Sequence, residues 1–307
     1  MACAATEPSQ RAGRPGRNLI TALIGLLAIF VVAGCTATPA ERVSAAGEIA
    51  LKGGLARSTM RAQGFALTAW SRIAAPADDV HVYIEGDGYA WATSTDPSDD
   101  PTPLNPLALR LAAADDAPNV LYLARPCQFR PAGTRDSCET SFWTERRFAE
   151  MVVASLDDAI DRVLPPSPRR RLTLIGYSGG GGIAVLLAAR RTDVAAVVSV
   201  AGNIAHAVWT SHHKVSPLRG SLDPIDSAVL LATVPQLHLV GANDTIVPRL
   251  IADTFARRSP PDGCIRVVSI ADATHDKGWL ENWPALLDRI PVCPRADRPM
   301  ASPDPAR

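Results

Sequence analysis

Residues 171–188 read RLTLIGYSGGGGIAVLLA, and the order of residue types in this stretch decides the fold. Arg171–Gly176 is an apolar run suited to a buried strand, and Gly180–Arg191 reads as a helix with an apolar run. Between them, Gly176-Tyr177-Ser178-Gly179-Gly180 is a Gly-x-Ser-x-Gly turn. A strand that passes into a helix through so tight a corner holds the Ser in a strained backbone and projects its oxygen beyond the sheet. Glycines at positions 176 and 180 let strand and helix approach without a Cβ clash. The helix start then aims its free N–H groups and its dipole at negative charge developing on or near the Ser.

Outward from this corner, strand and helix patterns alternate. Gly64–Ile73, Val80–Glu85, Val120–Ala124, Val194–Ala201, Pro235–Val240 and Ile265–Ile270 read as strands. Leu107–Ala114, Phe142–Leu164 and Gly278–Ile290 read as helices. The second of these carries Phe148, Val152, Leu156, Ile160 and Val163 on one stripe and ends at Pro165-Pro166. Residues 94–106 form a Pro- and Asp-rich loop. Residues 36–62 are small and polar and read as a tether with room for a short helix. Residues 203–233 have weak periodicity and are a candidate cap over the strand ends. Strands separated by helices predict a mostly parallel sheet with helices on both faces.

The Gly-x-Ser-x-Gly turn in its strand–turn–helix context resembles the α/β-hydrolase family, and the resemblance extends over roughly residues 64–290. It implies the α/β-hydrolase fold and a triad in the order nucleophile, acid, His. Ser178 is then the nucleophile. His275, in Ala273-Thr274-His275-Asp276 after the last strand, takes the base position. Asp244, in the loop that follows strand Pro235–Val240, takes the acid position, with Asp226, Asp272 and Asp276 as alternatives. The base removes the Ser proton, and the carboxylate fixes its tautomer. The oxyanion donors expected are the N–H of Gly179 and one from Glu85-Gly86-Asp87-Gly88-Tyr89, at Asp87 or Gly88. Many family members carry His-Gly where this chain has Glu85-Gly86, which leaves the second donor open. A carboxylate beside an oxyanion is unfavourable, so Asp87 must turn away or pair with a cation. Cys127–Phe148 combines two Cys with Arg130, Arg135, Arg146, Arg147 and Trp143. It reads either as a disulfide-bound lobe near the site, with Trp143 lining a pocket, or as a stapled surface loop.

Gly179, Gly181 and Ala184 also match Gly-x-Gly-x-x-Ala, a dinucleotide-binding pattern. That pattern requires an acidic residue at the end of the next strand, and Ser199-Val200-Ala201-Gly202-Asn203 has none. No metal and no organic cofactor is implied. A small-molecule acyl substrate is.

The 307 residues carry 31 Lys+Arg against 31 Asp+Glu and are 47% hydrophobic. This is too apolar for a disordered chain and too neutral for a nucleic-acid binder. Near the N-terminus, Arg11, Arg14 and Arg17 precede an apolar run at 19–34 that ends Val32-Ala33-Gly34-Cys35. This is the layout of an export signal, and its end resembles the lipobox of bacterial lipoproteins, in which the Cys is lipidated. The resemblance implies a signal peptide at 1–34, lipid on Cys35 and attachment to a membrane of the bacterial cell envelope on the periplasmic or extracellular side. An uncleaved anchor is the alternative. The domain expected is 63–293, after a tether at 35–62 and before a tail at 294–307. In an oxidising compartment Cys127, Cys138, Cys264 and Cys293 allow two disulfides in three connectivities, and local pairing favours Cys127–Cys138 with Cys264–Cys293. A zinc site is the alternative, but the spacings do not suit one. The function expected is a serine hydrolase of esters, thioesters or amides. Its rival is a non-catalytic envelope binding protein that retains the fold.

Overall fold

A computed structural model describes residues 37–74, 78–131, 133–164 and 166–293. The expected signal peptide, Cys35 and the tail at 294–307 lie outside the described residues. In chain order the elements are α1 (Pro39–Lys52), β1 (Ala56–Ala62), β2 (Phe65–Arg72), β3 (Asp79–Ile84), α2 (Leu107–Ala113), β4 (Val120–Leu123), α3 (Glu150–Val163), β5 (Arg171–Tyr177), α4 (Gly179–Ala188), β6 (Val194–Val200), α5 (His206–His213), β7 (Gln236–Gly241), α6 (Leu250–Arg258), β8 (Ile265–Ile270) and α7 (Trp283–Leu287).

The eight strands form one sheet in the order β1-β2-β4-β3-β5-β6-β7-β8. The six from β4 to β8 run parallel, and β1 and β2 add an antiparallel edge. Alternation along each strand feeds two cores. Val80, Val82 and Ile84 of β3, with Leu172 and Leu174 of β5, face α3, α4 and α6. Tyr83, Ile175, Val198 and Leu239 face α1, α2 and α7. Period-2 side chains buried on both faces are what a central parallel sheet requires. All ten residues of α4 are buried, so this helix is apolar around its circumference rather than on one stripe.

Ile84, Gly176 and Ser199 are partners in register across β3, β5 and β6. The carboxyl ends of the central strands therefore open at one level, where ligand crevices form in open α/β sheets.

Three expectations are corrected. The tether at 35–62 holds α1 and β1, which belong to the folded body. Ala46 and Ala50 of α1 and Ala62 of β1 are buried. Thr38 and Glu41 close a capping box at the start of α1. The helix read at Phe142–Leu164 begins at Glu150, after a 3₁₀ turn at Thr140–Phe142. The closing helix read at Gly278–Ile290 shortens to α7, with Gly278 at φ +87° and Pro284 in its first turn. The early strand is β2, joined to β1 by a two-residue turn in which Gln63 and Gly64 both have positive φ (47° and 85°). That is the geometry a tight hairpin demands.

Residues 203–233 hold α5 and a 3₁₀ turn at Pro224–Ser227, and Ile204, Ala205, Ala228 and Leu231 pack into the main core. Cys127 pairs with Cys138 and Cys264 with Cys293, at Cα separations of 5.5 and 6.0 Å. No helix among the described residues is long and apolar enough to cross a membrane.

Candidate active site

The corner between β5 and α4 is built as the glycines dictate. Ser178 has φ 50° and ψ −119°, a conformation that side-chain-bearing residues rarely adopt. The strain is held by backbone bonds: Ser178 N donates to Val200 O at 2.9 Å, and Ser178 O accepts from Gly181 N at 3.0 Å and Asn203 N at 2.9 Å. A Cβ on Gly176 would lie 2.0 Å from Gly180 O, and one on Gly180 would lie 2.2 Å from Ile84 O. Only glycine fits either place.

Three side chains far apart in sequence meet at this corner. His275 Nε2 lies 3.0 Å from Ser178 Oγ. His275 Nδ1 lies 2.9 Å from Asp244 Oδ2. The Asp244 side chain is fully buried. Its second oxygen accepts from Ile246 N and Val247 N, both at 2.8 Å, so backbone donors hold the carboxyl group in place. The His275 loop is held by Trp279 Nε1 donating to His275 O at 3.2 Å, and the Tyr177 ring lies 5.2 Å from the imidazole. Burial, then the surrounding carboxylates, push the Tyr177 phenol well above its ordinary range, so it stays neutral.

The first N–H groups of α4 have no intrahelical acceptor, as at any helix start. Gly179 N–H is the one directly after Ser178. On the facing loop, Gly86 N–H is taken by Glu85 Oε1 at 2.9 Å, while Asp87 and Gly88 N–H have no protein acceptor among the described residues. Gln128 Nε2 fixes this loop by donating to Gly86 O at 2.9 Å. Glu85 is buried, accepts from Tyr122 OH at 3.0 Å, and also takes backbone N–H groups at the start of α2. Burial outweighs these bonds and pushes its carboxyl up to about 7.

Asp87 is turned against the corner between β5 and α4 and paired with two cations. Its Oδ2 lies 2.9 Å from Arg147 Nε and its Oδ1 lies 3.3 Å from Arg125 Nη1. A Cβ on Gly179 would lie 2.0 Å from Asp87 Oδ1, so glycine at 179 makes room for this carboxylate.

Ser178 and His275 open onto a cavity of about 460 Å³ lined by, among others, Asp87, Gly88, Tyr89, Trp91, Leu104, Arg147, Trp209 and Ile246. Arg147 and Trp209 had no assigned role in the sequence reading. Trp143 is elsewhere: it is buried and donates to Ser98 O at 3.2 Å. Of the other histidines, His206 is buried against Phe148, with ring centroids 4.0 Å apart, and burial lowers it to about 4. His238 sits in β7 beside Ser199, and burial lowers it to about 3. His81 pairs with Asp115 at 2.6 Å. No group of three or more metal-ligating side chains is found among the described residues.

No family model matches the sequence, and no curated protein matches it. Solved structures do. An esterase from Pyrococcus furiosus superposes with a TM-score of 0.53 at 13% identity, over 79% of this chain and 94% of the esterase. A 2,6-dihydroxy-pseudo-oxynicotine hydrolase superposes with a TM-score of 0.54 at 18% identity, over 81% and 71% of the two chains. The chain has the α/β-hydrolase fold. Within that fold, Ser178 lies at the strand-to-helix corner, Asp244 follows β7 and His275 follows β8.

Proposed function

We propose that this chain is a serine hydrolase of carboxylic esters. The reading is carried by the chain of hydrogen bonds from Ser178 through His275 to Asp244, at 3.0 and 2.9 Å, beside the 460 Å³ cavity. Ser178 Oγ attacks the ester carbonyl while His275 Nε2 takes its proton. The carbonyl oxygen becomes an anion and meets Gly179 N–H with Asp87 or Gly88 N–H. His275 returns the proton to the departing alkoxide, leaving an acyl-enzyme on Ser178. Water then attacks the acyl carbon, giving its proton to His275, and Ser178 recovers its proton as the acid leaves. Asp244 stabilises the imidazolium at each stage and holds the tautomer. The names of the structural neighbours, an esterase and a hydrolase, support the same class.

The test is covalent labelling by a fluorophosphonate probe. Wild type is expected to be labelled on Ser178. Ser178→Ala is expected to show no label, and His275→Ala a rate lower by about three orders of magnitude or more. A folded wild-type protein that stays unlabelled overturns the enzyme reading and favours a binding protein on the same scaffold.

We further propose that the protein is exported and lipid-anchored through Cys35 on the periplasmic or extracellular side of a bacterial envelope membrane. The basic and then apolar N-terminal segment ending Val32-Ala33-Gly34-Cys35 supports this.

A further inference from the structure

Arg147 is an unusual resident of an ester-binding cavity. Its side chain is 7% exposed, yet it lines the same cavity as Ser178. Its Nε faces Asp87 and its Nη1 donates to Thr144 O at 3.0 Å, while Nη2 has no protein acceptor among the described residues. The guanidinium also lies over the Phe148 and Trp209 rings, at 5.7 and 5.6 Å from their centroids, and these contacts help to orient it.

The charge around it does not close. Arg125 and Arg147 share one carboxylate, Asp87. Arg125 is buried, with its Nη2 donating to Arg147 O, and remains a cation at neutral pH. Among the described residues no other acid contacts either guanidinium, and Asp244 is taken up by His275, Ile246 N and Val247 N. Glu85 is spent on Tyr122, Gly86 and α2, and Asp276 is exposed at the mouth, where water screens it. Asp223 is bound to the N–H groups of His206 and Ala207, and His206 is neutral. A buried cation with a free donor is costly unless an anion completes it.

We propose that Arg147 reads a carboxylate carried by the substrate, and that the preferred esters are monoanionic. This rests on the hydrolase reading and deepens it. The free Nη2 edge offers a charge-assisted donor to the carboxylate, while Asp87 holds the fork from behind. The ester then meets Ser178 with its orientation set by that pairing, because Asp87 touches both Arg147 and the Gly179 corner.

The experiment compares esters matched except for the charge: p-nitrophenyl hexanoate against mono-p-nitrophenyl adipate, and the butyrate ester of methyl 4-hydroxybenzoate against that of 4-hydroxybenzoate. The first pair carries the carboxylate on the acyl group and the second on the leaving group. Wild type is expected to favour the anionic member of at least one pair by about tenfold or more in kcat/KM. Arg147→Gln is expected to erase that advantage, and Arg147→Lys to restore part of it. Equal rates, or a preference for the neutral member in both pairs, overturn the proposal in wild type alone, with no variant needed. So does an anion preference that survives Arg147→Gln. Fluorophosphonate labelling of the same samples separates the two readings. Absent labelling defeats the hydrolase reading, whereas labelling without anion preference defeats this inference only.

Discussion

Glu85 concentrates the cost of the site in one side chain. It stands where the strand β3 delivers the loop that faces Ser178, and its carboxyl is held near a pKa of about 7 against an ordinary 4.5. For an acid whose folded pKa is raised, the folded state holds the proton more tightly than the unfolded chain. Stability is therefore highest below about pH 4.5 and falls as pH rises to about 7, beyond which the loss is constant. A shift of that size corresponds to about 3 kcal/mol. Glu85→Gln removes this titration. Thermal unfolding of the two proteins from pH 5 to 8 is expected to show the variant gaining on wild type by several degrees. A constant offset from the amide facing Gly86 N–H leaves that slope unaffected, and parallel curves reject a buried, titrating Glu85. That Ser178, Asp244 and His275 meet was legible because each sits in a short motif at a strand end: Gly176 to Gly180, Ala242 to Pro248, and Ala273 to Asp276. Arg147 was not legible as a cavity residue. It is one of five arginines between 125 and 147, and only the folded loop decides which of them turns inward.

At the scale of elements, the central strands were readable and the edge was not. β3, β5, β6 and β7 are apolar runs because both faces are covered. β1 reads ARSTMRA and is exposed over most of its length, so it carries no alternation to detect. Helix α1 buries Ala46 and Ala50, residues too small to draw a hydrophobic stripe, and its capping box Thr38-x-x-Glu41 was the available signal. Its contribution reaches the site. Arg42 of α1 bonds Thr102 O and Asp100 O and lies 5.5 Å from the Tyr89 ring, which lines the cavity, while Tyr89 N donates to Pro101 O at 3.0 Å. A chain of residues 37–293 is expected to unfold cooperatively and to label at Ser178. A chain of residues 63–293 loses α1 and β1, uncovers the α1 side of the core, and is expected to melt about 10 °C lower or more, a deficit of ~3–5 kcal/mol at this size. Equal melting temperatures would restore the tether reading of this segment.

At the scale of the whole molecule, the proposed lipid anchor at Cys35 is the part that an experiment can separate from the hydrolase reading. The full sequence carries 31 basic and 31 acidic residues, so net charge gives it no attraction to anionic lipid. Among the described residues no helix can cross a bilayer. The attachment proposed above therefore rests on lipid joined to Cys35. A single acyl chain holds a protein only marginally, whereas two or more hold it stably, at ~0.8 kcal/mol per buried methylene. The two disulfides are compatible with the exported location proposed above, because such bonds persist where glutathione does not reduce them. Expressed with its full N-terminus in a bacterial host, wild type is expected to partition into detergent. Its intact mass should exceed that of residues 35–307 by a diacylglyceryl group or more. Cys35→Ser is expected to lack that mass and to leave the detergent phase, with fluorophosphonate labelling of Ser178 unchanged, because the hydrogen-bonded chain of Ser178, His275 and Asp244 does not include it. A wild-type mass equal to the bare polypeptide rejects the lipid anchor while leaving the hydrolase reading intact.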